Sequence, residues 1–183
     1  MQIRPAVPAD AMQIAAVHVR SWQAAYSGIL PAAYLDALRP EDRAARYDLT
    51  HVDPAAPYTQ LAVDQGRIIG FATTLPSEHG GMPWGELRAL YVDPDHWARG
   101  AGVALLRAAE EHLAQTGFSQ AALWVLTGNH RAARFYEHHG WTAEPVHRTD
   151  TVWGITVEED RYWRKLDIHA PNSGSSINAP SRF

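Results

Sequence analysis

Two stretches of this 183-residue chain have the residue types and spacing to do chemistry. The first is Arg99-Gly100-Ala101-Gly102, which follows Asp93-Pro94 and opens directly into Val103-Ala104-Leu105-Leu106. Glycine lets a backbone approach a ligand with no Cβ in the way. The first turn of a helix carries about four N–H groups without partners, at the positive end of the helix dipole. A glycine loop entering a helix is therefore a phosphate cradle, and Arg99 adds a fixed positive charge to it. The cradle comprises Ala98, Arg99, Gly100, Ala101, Gly102, Val103 and Ala104. The second stretch runs from Asn129 to Tyr136, two polar groups about two helical turns apart and so on one face. From spacing alone the structural readings lead there: a helix cap for Asn129 and a core aromatic for Tyr136.

Three kinds of loop bind phosphate in this way. A P-loop ends in Gly-Lys-Ser/Thr, and Val103-Ala104 occupy that place. A dinucleotide fingerprint needs a third small residue, where Leu105 stands, and an acid roughly 20 residues on, where Gln120, Ala121 and Ala122 offer none. The third is the acetyl-coenzyme A loop of the GNAT N-acetyltransferases, Gln/Arg-x-x-Gly-x-Gly/Ala, which this loop resembles. Only the first position departs, with Trp97 in place of Gln or Arg. The preceding Leu90-Tyr91-Val92-Asp93-Pro94 is similar to that family as well. So is Asn129 with Ala132, Phe135 and Tyr136, followed by Gly140-Trp141, which resembles its second signature, Asn-x-x-Ala-x-x-Phe-Tyr then Gly-Phe.

The resemblance implies acetyl-coenzyme A as co-substrate. It implies that Asn129 helps hold the pantetheine arm and that Tyr136 protonates the departing thiolate. A phenol suits that task, being protonated at neutral pH. The main chain of Leu90 and Val92, on the strand ending the first signature, is implied as the donor to the thioester oxygen. Arg131 and Arg134 stand in the helix near the implied nucleotide, where either could reach a phosphate and either could equally be part of a solvated face.

The attacking amine must also lose a proton, and Glu86 is the candidate base. Strand alternation puts it on the face of Leu90 and Val92, about 13 Å from Leu90 if the strand is straight. A bulge or bridging waters would be needed to close that gap. The competing reading is a solvated strand carboxylate. By family position Trp22, Tyr26 and Trp84 are implied as the acceptor pocket, where aromatic faces suit an alkylammonium or a flat ring. Core packing is the alternative for each, and also for His18. The histidines show no metal-ligand spacing, and no metal site is expected.

The elements that must position these groups follow from periodicity. Gln2–Val7 reads as a strand, and Asp10 with Gln13 as the capping box of a helix from about Ala11 to Ala25. Short helices are expected from Pro31 to Leu38 and from Glu41 to Leu49. Tyr58–Asp64 and Arg67–Leu75 are strands joined by a Gln65-Gly66 hairpin turn, and Pro76–Pro83 reads as a glycine-rich loop. Trp84–Val92 leads into the cradle and its helix, which ends at Thr116-Gly117. Ala121–Val125 reads as a buried strand and Asn129–His139 as a helix, followed by strands Trp141–His147 and Thr156–Leu166. The order predicts an α/β fold with a mixed, mostly antiparallel twisted sheet and helices on both faces. It is GNAT-like over residues 2–166, giving one domain at 1–166 and a mobile tail at 167–183.

Composition sets the outer bounds. Hydrophobic content of 46% and charged content of 20% are those of a globular protein with a real core. A net charge of −4 argues against nucleic acid and anionic membranes and leans weakly toward cationic acceptors. The chain has no cysteine, which excludes disulfides and a thiolate acyl carrier. It has no apolar run of membrane-spanning length, and its N-terminus lacks a signal peptide's apolar core, so a cytoplasmic protein is expected.

The reading is an N-acetyltransferase that moves acetyl from acetyl-coenzyme A to a primary amine of a small molecule or peptide, by direct attack in a ternary complex. The rivals are a non-catalytic acyl-coenzyme A sensor or partner-binding module on the same fold, and a nucleotide-binding redox protein. A homodimer is left open.

Overall fold

A computed structural model describes residues 1–47, 49–50, 53 and 55–167. Seven strands form one sheet: β1 (Gln2–Pro5), β2 (Tyr58–Asp64), β3 (Arg67–His79), β4 (Met82–Val92), β5 (Gln120–Leu126), β6 (Thr142–Val152) and β7 (Ile155–Lys165). Their order is β1-β2-β3-β4-β5-β7-β6. Every neighbouring pair is antiparallel except β4 and β5, which are parallel. This is the mixed, mostly antiparallel sheet that the sequence order predicts.

Among the described residues five α-helices accompany it: α1 (Ala11–Ala25), α2 (Ala32–Ala37), α3 (Pro40–Ala44), α4 (Ala101–Gln115) and α5 (His130–His138). Alternate strand residues send side chains to opposite faces. Leu61 and Phe71 pack with Ile14 and Val17 of α1. Their neighbours Ala62 and Ala72 pack with Leu105, Ala109 and Leu113 of α4. Gly85 lets α4 lie close on β4, since a Cβ there would come within 2.7 Å of a Leu113 methyl.

Several boundaries differ from the expected ones, each for a local reason. The expected loop at Pro76–Pro83 is instead the end of a long hairpin, with Pro76 opposite Gly85 and the chain reversing at Gly80-Gly81. Both of those glycines have positive φ, the geometry of a two-residue hairpin turn. In the same way β6 runs on to Val152 and turns at Trp153-Gly154, where φ is 53° and 82°. Asp10 does not cap α1 through its side chain. The helix is entered through a 3-10 turn at Pro8–Asp10, and the Asp10 carboxylate accepts from Val7 N–H at 2.9 Å and from both Arg4 terminal nitrogens at 2.7 and 2.8 Å. The expected helix from Glu41 to Leu49 ends at Ala44, and β1 ends at Pro5. Asp48 and the expected tail beyond Asp167 lie outside the described residues.

Two irregularities in β4 shape the site. Thr73 faces Ala89 while Thr74 faces Leu87, so Arg88 is an extra, bulged residue. The bulge reverses the alternation. Leu87 joins Leu90 and Val92 on the α4 side, while Ala89 and Tyr91 pack on the α1 side. Glu86 therefore does not share a face with Leu90 and Val92, as straight-strand counting expects. Beyond the bulge the sheet opens: β4 and β5 pair only from Gly85–Ala121 to Leu87–Leu123.

Candidate active site

A cavity of about 620 Å³ fills the gap where β4 and β5 diverge. Main-chain direction follows from one hydrogen bond. Asp93 N–H donates to Ile69 of β3 at 2.8 Å, so by alternation the N–H groups of Leu90 and Val92 point away from β3 and into the gap. The Val92 carbonyl is held there by two side-chain donors, Ser21 Oγ at 2.9 Å and Trp97 Nε1 at 2.7 Å.

The loop after β4 delivers the start of α4 to one end of the cavity. Ala98 and Gly100 both adopt left-handed φ, 58° and 87°. The first intrahelical bond runs from Ala104 N–H to Gly100, which leaves the amides of Ala101, Gly102 and Val103 without helical partners. Gly100 is explained by its backbone. Gly102 is not: its φ is ordinary, and an added Cβ would meet the Phe135 ring at 3.5 Å and a Val92 methyl at 3.9 Å, both ordinary contacts. The protein's own packing thus gives no reason for glycine at 102, whereas a group lying against the backbone does. The donors and that bare backbone fit a diphosphate.

Of the cradle residues, Ala98, Gly100, Gly102 and Val103 line the cavity. Arg99 is exposed outside it, and Ala101 is buried in the core. Ala104 is half-buried away from the lining. The positive charge at this end comes from Arg131, whose guanidinium lies 3.2 Å from the Trp97 ring centroid.

Across the gap, Asn129 caps α5, its Oδ1 accepting from Ala132 N–H at 3.1 Å. The capping reading is thus correct, and Asn129 still lines the cavity with its amide nitrogen uncommitted. Tyr136, one face down the helix, is buried yet lines the cavity as well. Its hydroxyl is neither sealed nor bonded to any described residue. Burial, and secondly the neighbouring Tyr91, push its pKa well above the ordinary phenol value, so it holds its proton through the neutral range.

The opposite end is framed by α1, β4, β5 and the β6–β7 hairpin. Trp22 and Tyr26 line it, with the Tyr26 hydroxyl 3.4 Å from that of Tyr91. His18 is both a core residue and a wall residue: it is buried, its Nδ1 is 2.6 Å from the Tyr47 hydroxyl, and its Nε2 has no partner. Glu86 is buried in the wall with its Oε1 2.7 Å from Arg88 Nε. That N–H does not point at the oxygen, so the contact is coulombic and Oε1 lacks a hydrogen bond. Trp84 lies outside the cavity. It packs against His79 and Trp163 near the far end of β4, because the strand carries it away from the gap.

The sequence matches the model of the acetyltransferase (GNAT) family over residues 19–141. The chain belongs to that family. The matched segment begins within α1 and includes both signature stretches. YuaI of Bacillus subtilis, named an uncharacterized N-acetyltransferase, is 37% identical over 132 residues, which cover 69% of this chain and 72% of that protein. A mycothiol acetyltransferase of Propionibacterium freudenreichii is 35% identical over 107 residues. That match covers 58% of this chain but only 34% of the relative, so the chain corresponds to about a third of the longer protein. The fold recurs in the PaiA N-acetyltransferase of Thermoplasma acidophilum, solved in complex with coenzyme A (TM-score 0.69, 22% identity, 90% of this chain and 98% of that one). It recurs also in YncA of Salmonella typhimurium, a putative acetyltransferase solved with acetyl-CoA (TM-score 0.67, 20% identity, 96% and 99% covered).

This GNAT chain also places in the cavity residues that no local pattern marks. Tyr91 and Trp124 come from the two diverging strands, Arg43 from α3, and Arg148 and Glu159 from the β6–β7 hairpin. Tyr91 stands inside the first signature stretch and could have been found there. The others are distant in sequence and meet only through strand pairing and, for Arg43, helix packing.

Proposed function

We propose that the protein transfers the acetyl group of acetyl-coenzyme A to a primary amine by direct attack within a ternary complex. One observation carries this reading. The unpartnered amides at the α4 N-terminus and the free hydroxyl of Tyr136 meet at a single cavity, in whose wall the Glu86 carboxylate is buried. Acetyl-coenzyme A supplies the activated acyl group, and the chain's own residues supply position and protons.

In this reading the amides of Gly102 and Val103, with Arg131, bind the diphosphate. Asn129 offers its free amide N–H groups to the pantetheine arm. The N–H groups of Leu90 and Val92 are preorganised donors for the thioester oxygen as it becomes an oxyanion. Glu86 accepts a proton from the acceptor ammonium, giving nitrogen a lone pair. The C–N bond forms, the C–S bond breaks, and Tyr136 gives its proton to the leaving sulfur, which spares a bare thiolate in an apolar site; the second proton that nitrogen sheds as the amide forms restores the Tyr136 phenol through water, and Glu86 releases its own to solvent. Trp22 and Tyr26 line the acceptor's end. With no cysteine in the chain, no thiolate is available to carry the acetyl group between the two substrates.

Thiol release with acetyl-coenzyme A and a panel of amines tests the proposal. Release that depends on an amine supports it. Cofactor binding with no release for any amine would replace it with a binding module. Tyr136→Phe should lower kcat roughly 100-fold or more with little change in cofactor affinity; unchanged turnover removes Tyr136 from the acid's role.

A further inference from the structure

The cavity end farthest from α4 holds three arginines, Arg43, Arg88 and Arg148, and three acids, Glu86, Asp150 and Glu159. Two of the arginines answer all three acids. Arg88 sits 2.7 Å from Glu86, and Arg148 reaches Glu159 at 2.7 Å and Asp150 at 3.5 Å. Arg43 has no ion-pair partner among the described residues: its guanidinium bonds the neutral Tyr47 hydroxyl, and its Nε is sealed from solvent without a hydrogen bond.

The surroundings hold this cation rather than neutralise it. Its guanidinium lies 3.8 Å from the centroid of the Trp153 ring. Trp153 stacks on Trp22 at 4.3 Å and 14°, and its carbonyl accepts from the Tyr34 hydroxyl at 3.2 Å. It stands at left-handed φ 53° in the turn between β6 and β7. Elements from both ends of the chain thus converge on one half-buried arginine. Desolvation draws the Arg43 pKa down from its ordinary value, yet a guanidinium keeps its charge. A half-buried guanidinium bonded only to a neutral phenol keeps donors to spare, and an anionic oxygen would take them in charge-assisted, bidentate bonds. The negative side is close by: Tyr91, its pKa raised chiefly by burial, is raised further by Glu159 and lowered by Arg43. A cation and an anion therefore act on one ring of the cavity wall.

We infer that Arg43 is the anion-recognising residue of the acceptor subsite, and that the acceptor carries an oxyanion, a carboxylate or a phosphate, on the same molecule as its amine. The inference rests on the transferase reading for the identity of the amine, and on the geometry of Arg43 for the anion. It reverses the lean toward cationic acceptors that the overall charge suggests, because local pairing and not net charge decides what the subsite accepts.

The test uses amine pairs that differ in one charge: β-alanine against its amide, and O-phosphoethanolamine against ethanolamine. In the wild type, kcat/KM for the charged member of one pair should exceed that of its neutral partner by about 10-fold or more. Which pair shows the preference tells carboxylate from phosphate. The ratio should collapse toward one in Arg43→Gln and return in part in Arg43→Lys. Because it is taken within each variant, a general loss of activity does not affect it. No preference in either wild-type pair, or a preference that survives Arg43→Gln, overturns the inference. If no amine is turned over, calorimetry on the acetyl-coenzyme A complex separates the two readings. Binding of the charged members alone, lost in Arg43→Gln, keeps the anion site and sinks the transferase. Equal or absent binding of both members sinks the anion site.

Discussion

The Arg131 guanidinium stacks 3.2 Å from the centroid of Trp97, and the Trp97 indole N–H is itself fixed on the Val92 carbonyl at 2.7 Å. Trp97 stands at the loop position where the family signature carries Gln or Arg. The stacked pair brings a charge from α5 to the mouth of the cradle, while Arg99, the loop's own arginine, is exposed and does not line the cavity. Arg131→Ala should raise the KM for acetyl-coenzyme A roughly 10- to 100-fold, the scale of a lost charge-assisted bond. Trp97→Ala leaves the Arg131 charge in place while removing its platform and the bond to the Val92 carbonyl, and should raise that KM by a smaller factor, on the order of 3- to 10-fold. Initial-rate measurements with acetyl-coenzyme A varied decide this, and wild-type KM in Arg131→Ala would refute the assignment.

Gly102 separates folding from binding. An added Cβ makes no contact closer than 3.5 Å, to the Phe135 ring, within a helix where alanine is the better former. Gly102→Ala should therefore leave Tm unchanged or slightly raised while weakening cofactor binding roughly 10-fold or more. Gly100→Ala is the contrast. Its φ of 87° strains an L-residue, and it should lose about 1 kcal/mol of stability. Thermal melts with and without acetyl-coenzyme A distinguish the two. A normal cofactor-induced shift in Gly102→Ala would mean that nothing lies against that backbone.

Glu86 is buried with its Oε1 free of hydrogen bonds. Glu86→Gln keeps the shape and removes the base. Turnover at pH 7 should fall by about 100-fold, and the deficit should narrow as pH approaches the amine's own pKa. A deficit that stays constant with pH would make Glu86 a structural carboxylate paired to Arg88.

His18 is uncharged in the folded protein, because burial, and after it the charge of Arg43, hold its pKa well below 6.5. The unfolded chain takes up the proton near 6.5 and the folded chain only at much lower pH. Between those values the unfolded state binds more protons. Its contribution to stability is thus complete above pH 6.5 and is lost as pH falls from there toward the folded value. The loss is up to about 1.4 kcal/mol per pH unit. His18→Gln cannot take up that proton, so its melting temperature should depend less on pH between 6.5 and 5 than the wild type's. Parallel curves would show that His18 does not titrate in unfolding.

Contiguous residues determined much of this protein. Periods of two and of about 3.6 marked the strands and the long helices, and glycine and proline punctuated them, because backbone preference is local. The glycine loop at Gly100–Gly102 and the helix from Asn129 to Tyr136 were legible for the same reason: each is one short contiguous stretch of chain. Composition misled only where it mimicked a loop. Pro76–Pro83 is rich in glycine and proline, yet Gly80-Gly81 simply turns a long hairpin.

The tertiary structure decided what depends on pairing across the sheet. A single bulged residue, Arg88, turned Glu86 away from the face of Leu90, and no feature of β4 alone announces it. The divergence of β4 from β5 made the cavity, and Trp84 fell outside it because it stands on the still-paired side of that divergence. Arg131 on Trp97 and Arg43 on Trp153 join residues from different elements. Charge and ring meet only after the hairpins and crossovers have folded, so their partnership is written in the packing and not in any neighbouring stretch of sequence.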